Sequence, residues 1–208
     1  MKKIIISYPD TVKKEIQLVV EILASDVDFF HVRKPHFDFL DMKQYLDQIP
    51  EEYHYKIVLH SHYQLINEYD LGGINLNRRS LNQICIESES DKCYIEPILL
   101  RNNQIEINGL TPSIVSYSAH SFEEIQHLNF KTDYVFLSPI FDSITKHGYT
   151  SKFTDHAELK FKLSQNRHNI VALGGITSEM SENLKQIGFY GYARLGDFWQ
   201  DHIMTKAL

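Results

Sequence analysis

Eight times along its length the chain passes from a short β-branched, apolar run into a stretch whose apolar residues recur three or four apart. Few folds accommodate that rhythm. The runs fall at residues 3–7, 28–33, 56–60, 73–76, 113–118, 133–138, 169–173 and 190–195. Between them, Val12, Ile16, Val19, Val20 and Leu23 form one helical face, with Thr11 as its expected cap. Phe39, Met42, Tyr45, Leu46 and Ile49 form a second, stopped by Pro50. A short helix is expected through Leu65, Ile66 and Tyr69, and others over Phe122, Ile125 and Leu128, over 157–163, and over Met180, Leu184 and Ile187. A last helix can run from Asp197 to about Lys206. Strands alternating with helices predict an α/β protein with a parallel sheet, closed as a (β/α)8 TIM barrel. An open doubly wound sheet normally carries a glycine-rich turn after its first strand, and Ser7-Tyr8-Pro9-Asp10 is nothing like one. The pattern blurs only at about 82–109, an irregular segment with room for short strands of its own. A single domain over 1–208 is expected.

Composition narrows the function. With 43% hydrophobic and 23% charged residues in 208, the chain can bury a core and is not a disordered segment. Its 21 basic and 27 acidic residues give a net charge of −6, the wrong sign for a nucleic-acid or anionic-membrane binder. No apolar run approaches the roughly 18 residues of a membrane span, and the first residues are too briefly apolar for a signal peptide. Cys85 and Cys93 alone are no disulfide framework and read as two reduced thiols. A soluble, cytoplasmic protein is the expectation.

In such barrels chemistry sits at the C-terminal ends of the strands. Those positions hold His31 and Arg33 at the end of the second run, His60 at the end of the third, Ser118 and His120 at the end of the fifth, Gly174-Gly175 after the seventh and Gly196 after the eighth. The paired glycines let a phosphate approach backbone N–H donors, or they make only a tight turn. Ser143, Thr145 and Lys146 lie on the long loop after the sixth strand, where they can donate to an anion or stand in solvent. Histidine suits proton transfer near neutral pH. His60-Ser61-His62 also invites a zinc reading with His31 and His120, but no acidic strand-end residue completes that set. Tyr8, Tyr149, Phe198 and Trp199 are candidate interface aromatics.

Four blocks then occur in order: Ser118-Ala119-His120-Ser121 with Glu123-Glu124, Asp133 through Phe141 leading to Thr145-Lys146, Ala172-Leu173-Gly174-Gly175-Ile176-Thr177, and Gly188-Phe189-Tyr190-Gly191. In that order and spacing they resemble the thiamine phosphate synthase/TenI family of (β/α)8 barrels. The synthases of that family join an aminopyrimidine pyrophosphate to a thiazole phosphate, using a Gln-x-Arg-x-Lys strand and two aspartates that hold magnesium. Here the Gln position is His31, Arg33 is kept, the Lys position is Pro35, Asn-Asp becomes His60-Ser61, and the second Asp becomes Ser80 after Arg78 and Arg79. Neither serine supplies the charge a hard cation wants.

The TenI branch resembles this chain more closely, with a His-x-Arg like His31-Val32-Arg33 and no magnesium machinery. That resemblance implies a thiazole tautomerase with His120 and His31 as catalytic candidates. Gly174, Gly175, Gly196, Ser118, Ser143, Thr145 and Lys146 would bind phosphate or substrate, and Arg33 or Lys146 would pair with the substrate carboxylate. It also implies no cofactor (Mg²⁺ only for a synthase), a small-molecule thiazole phosphate as partner, and a homodimer. A divergent synthase and a non-catalytic phosphate-binding protein are the alternatives.

Overall fold

A computed structural model describes residues 1–81, 84–86, 98–141, 153 and 155–204, of which 84–86 and 201–204 by backbone only. Eight parallel strands close into a barrel. They are β1 (Lys2–Ile6), β2 (Phe29–Val32), β3 (Ile57–Leu59), β4 (Gly73–Leu76), β8 (Ile114–Ala119), β9 (Tyr134–Leu137), β10 (Ile170–Ala172) and β11 (Gly191–Arg194), neighbours in that order with β11 back beside β1. Helices α1 (Glu15–Ala24), α2 (Phe39–Asp47), α3 (Arg78–Leu81), α4 (Phe122–Gln126), α5 (His156–Ser164), α6 (Ser181–Ile187) and α7 (Gly196–Met204) come after individual strands. This is the (β/α)8 barrel that the alternation predicts.

The helices are held by the faces their spacing defines. α1 buries Leu18, Val19, Ile22 and Leu23 against the sheet, each worth about 1.5–3 kcal/mol relative to exposure. Thr11 does not cap it. The helix starts at Glu15 after a left-handed Lys14 (φ 60°), and the Glu15 carboxylate accepts the Val12 N–H at 3.1 Å. α2 starts on a reciprocal capping box between Asp38 and Asp41. The expected helix through Leu65 to Tyr69 is instead a 3-10 turn, Tyr63–Asn67, whose Tyr63 hydroxyl donates inward to the Asn75 carbonyl at 2.9 Å.

Between β4 and β8 the chain leaves the barrel and forms a separate three-stranded sheet, in the segment where the sequence pattern blurs. β5 (Ile84–Ile86) runs parallel to β6 (Ile98–Arg101), and β6 antiparallel to β7 (Gln104–Ile107). The barrel nonetheless closes tightly behind this excursion. A Cβ on Gly73 would lie 2.0 Å from the Ile114 carbonyl oxygen, so only glycine lets β4 and β8 meet.

Ile4, Ile6, Phe136, Val171 and Ala193 fill one half of the barrel interior. A larger cluster, including Trp199, packs between sheet and helices. Trp199 is fully buried, with its indole N–H on the Ile6 carbonyl at 2.7 Å, and Tyr8 and Phe198 are half-buried against the same cluster. Trp199 therefore belongs to the core, and Tyr8 and Phe198 pack part of their surface against it. Tyr149, like the Cys85 and Cys93 side chains, lies outside the described residues. No helix among the described residues is long and apolar enough to cross a membrane.

Candidate active site

Strand alternation sends every second side chain into the barrel. On β2, β3, β4, β8 and the base of β9 it sends in polar ones: His31, His60, Asn75, Ser116, Ser118 and Tyr134. They form a continuous chain. Asn75 Nδ2 lies 3.3 Å from His60 Nδ1, His60 Nε2 lies 2.9 Å from His31 Nδ1, and His31 Nε2 lies 2.7 Å from the Tyr134 hydroxyl. The Asn75 amide can only donate from nitrogen, which fixes the direction. His60 accepts from Asn75 and donates to His31, and His31 donates to Tyr134. Asn75 is held in turn by Ser116, which donates to its Oδ1 at 3.0 Å, and it donates to Ser118 at 3.0 Å.

His31 is completely buried with both ring nitrogens engaged. Burial, and then the neighbouring His60, holds its pKa well below the ordinary imidazole range. Burial and the Arg33 charge lower His60 to about 3. Both rings are thus neutral across the physiological range.

His120 is placed quite differently. It is exposed, just past the end of β8, and its Nδ1 lies 3.1 Å from the Ser138 carbonyl oxygen. A carbonyl only accepts, so Nδ1 carries a proton, and in the neutral form of the ring the lone pair is on Nε2. The turn is pinned from below by Glu124, whose Oε2 accepts the His120 N–H at 2.9 Å and whose Oε1 accepts the Tyr117 hydroxyl at 2.8 Å. Ser121 caps α4 by accepting the Glu124 N–H at 3.2 Å. That cap explains why Glu124 stands one turn along, directly under His120.

The glycine corner adjoins it. Gly174 (φ 92°) and Gly175 (φ 66°) both take left-handed conformations after β10, and a Cβ on Gly174 would approach Pro139 Cα to 2.9 Å. The carbonyls of Leu173 and Gly174 accept the N–H groups of Ile140 and Phe141, binding the start of the following loop to this corner. Gly196 opens α7 beside it. Ser143, Thr145 and Lys146, expected to complete an anion site, lie outside the described residues.

Arg33 is exposed after β2, its backbone clamped by Ser7, which accepts its N–H at 2.8 Å and donates to its carbonyl at 3.2 Å. Its neighbour Lys34 is no substitute for a missing active-site lysine. Lys34 is buried outside the barrel, 2.7 Å from Glu15, and the Tyr45 hydroxyl donates to the same carboxylate at 2.9 Å.

The residues at the magnesium-ligand positions do not fit a hard cation. Ser61 carries no charge. Ser80 is buried, sharing a 3.0 Å hydrogen bond with Tyr63 rather than facing the mouth. A pairing of His60 with His62 also fails. Left-handed His62 (φ 54°) turns away, and its Nε2 donates to the Phe37 carbonyl at 3.0 Å. No cluster of three or more His, Cys, Asp or Glu side chains suited to a metal occurs among the described residues.

Sequence reading missed Asn75, Ser116 and Tyr134 as partners of the histidines. The signal was there: period-two alternation puts Asn75, Ser116 and Ser118 on the inward face of their strands.

Comparison with known proteins agrees with this architecture. A family model described as thiamine monophosphate synthase matches residues 105–197, the stretch that carries His120 and the glycine corner. The departures at His31, Pro35, His60-Ser61 and Ser80 all lie outside that match. A crystal structure of thiamine phosphate pyrophosphorylase from Bacteroides thetaiotaomicron is 29% identical, with a TM-score of 0.72 over 96% of this chain and 85% of that one. The thiamine phosphate pyrophosphorylase of Pyrococcus furiosus, 18% identical over 93% of this chain and 85% of that one, shares the fold with a TM-score of 0.63. No curated protein matches the chain in sequence. The matched stretch, the 29% identity over nearly the whole length and the closed barrel together make this chain similar to the thiamine phosphate synthase/TenI family.

Proposed function

We propose that the protein is a metal-independent thiazole tautomerase of thiamine synthesis, acting on a thiazole carboxylate phosphate. The observation that carries this reading is the contrast between the two kinds of histidine. His31 and His60 are locked in a neutral internal chain, whereas His120 stands exposed with Nδ1 satisfied and Nε2 without a partner among the described residues. His120 Nε2 takes a proton from one carbon of the ring system and returns it to another, so atoms and charge balance within the one molecule. Gly174, Gly175 and Gly196 hold the phosphate through backbone N–H groups, joined by the loop that bears Ser143, Thr145 and Lys146. His31, the other catalytic candidate, serves to fix the floor on which the ring rests, together with Ser118. No step calls for a cation or cofactor, in keeping with serines where the family's synthases have aspartates.

The test is conversion of the unisomerised thiazole carboxylate phosphate to its aromatic isomer, monitored by chromatography without metal or pyrimidine. Turnover by the wild type and its loss in His120→Ala would support the reading. An inactive wild type would end it.

A second reading, a divergent synthase, is favoured by the likeness to a pyrophosphorylase and by Arg33, Arg78 and Arg79, exposed cations around the mouth. The same assay with aminopyrimidine pyrophosphate, thiazole phosphate and Mg²⁺ distinguishes it. Binding without turnover in either assay would point to a phosphate-binding protein.

A further inference from the structure

β4 and β8 are adjacent staves, paired from Gly73↔Ile114 to Leu76↔Tyr117. The residues at their C-terminal ends therefore emerge side by side: Asn77 and Arg78 from one, Ser118 to His120 from the other. The Asn77 side chain accepts the N–H groups of Arg79 and Ser80 at 2.8 and 3.3 Å, fixing the turn that presents Arg78. The Arg78 side chain is 81% exposed, and its one described ionic contact is a 3.7 Å approach of Nε to Glu124 Oε1. That distance is too long for a hydrogen bond, and an exposed ion pair of this kind contributes little. Glu124 is the same carboxylate that holds the His120 N–H. One half-buried acid thus ties an exchangeable guanidinium to the proton-transfer turn.

We propose that Arg78 recognises the carboxylate of the substrate and so sets the preference for a carboxylated over a decarboxylated ring; this rests on the thiazole reading above. The order of staves supports it. Going round the barrel, the phosphate corner at β10 and β11 lies on one side of the His120 strand, and Arg78 on β4 lies immediately on the other. A ring carrying a phosphate arm and a carboxylate would lie past His120, its two anionic ends in opposite directions. Arg33, on β2, is three staves from β8 and charges the surroundings of His60 instead. The planar guanidinium matches a carboxylate with two parallel hydrogen bonds, better than its present contact. The Glu124 oxygens are turned toward the Tyr117 hydroxyl and the His120 N–H, and the Arg78 guanidinium stands as the cation between Glu124 and an incoming carboxylate.

Isothermal titration of the aromatic thiazole carboxylate phosphate and of its decarboxylated counterpart into the wild type, Arg78→Gln and Arg33→Gln tests this without turnover. The wild type should bind the carboxylated compound more tightly. Arg78→Gln should lose about tenfold on that compound alone, and Arg33→Gln should keep the discrimination. Unchanged binding in Arg78→Gln, equal losses on both compounds, or discrimination lost only in Arg33→Gln would overturn the assignment. A wild type that binds both compounds equally would overturn it alone. A wild type that binds neither would overturn the thiazole reading and this inference together.

Discussion

His31 Nδ1 and His60 Nε2 stand 2.9 Å apart inside the barrel, so a single proton serves both rings at their contact. Charging either ring would break the one-way chain from Asn75 to Tyr134.

Acid should therefore weaken the fold in a defined window. In the unfolded chain both imidazoles take up protons near pH 6.5; in the fold His60 does so only near 3, and His31 well below 6.5. Between those limits the unfolded chain holds more protons, so stability is full above about pH 6.5 and falls as pH drops toward 3. Urea midpoints measured at pH 7.5, 5.5 and 4.5 should decline in that order. A flat profile would contradict the buried, neutral pair.

Removing the Tyr134 hydroxyl leaves the His31 N–H without its acceptor. Tyr134→Phe should cost about 1–3 kcal/mol in denaturant unfolding. A neutral result would mean that the donor finds another partner.

The Lys34–Glu15 pair, 2.7 Å apart and buried on both sides, stabilises the base of the Arg33 loop only while both members are present. Glu15→Ala should cost about 3–5 kcal/mol by stranding the ammonium, whereas Lys34→Met with Glu15→Leu should recover most of that loss. Equal losses in single and double variants would show that the charge pairing is not what matters.

Glu124 acts on catalysis through His120. Glu124→Gln keeps an acceptor for the His120 N–H, so kcat on the isomerisation should fall far less than in Glu124→Ala, with KM for the phosphate arm little changed. His120→Ala itself should lose about 10²–10⁴ in kcat. Equal kcat in the two Glu124 variants would mean that the carboxylate does not position the turn.

Gly174 has no room for a side chain, since Pro139 would meet a Cβ at 2.9 Å and φ is 92°. Gly174→Ala should destabilise by more than about 1 kcal/mol and weaken inorganic phosphate binding at the same time. Loss of stability alone would limit Gly174 to a tight turn.

Much of the barrel was legible because each stave is a compact apolar run, and a run's end is where its side chains change character. Runs such as 73–76 and 133–138 needed only local chemistry to be recognised. Contacts that depend on distant partners were not legible. Thr11 was the expected cap of the first helix, yet Lys34 draws Glu15, nineteen residues before it, inward, and the helix starts at Glu15. His62 looked like a strand-face partner of His60 until a left-handed residue reversed the chain. His120 and the glycine corner could be placed because a strand end fixes them alone. The neutral chain through His31 needed five strands brought together, which no local pattern encodes.

The meeting of β4 with β8 has one more consequence, for how the barrel tolerates change. Asn75 and Ser116 pair although they stand 41 residues apart in the chain. Loop-closure entropy grows only logarithmically, so doubling such a stretch costs roughly 0.6 kcal/mol. The stretch can therefore lengthen at little entropic cost while the glycine-tight seam behind it holds the ring closed, provided that Ile98, Ile105 and Ile107 of the small sheet keep their buried places in the main core.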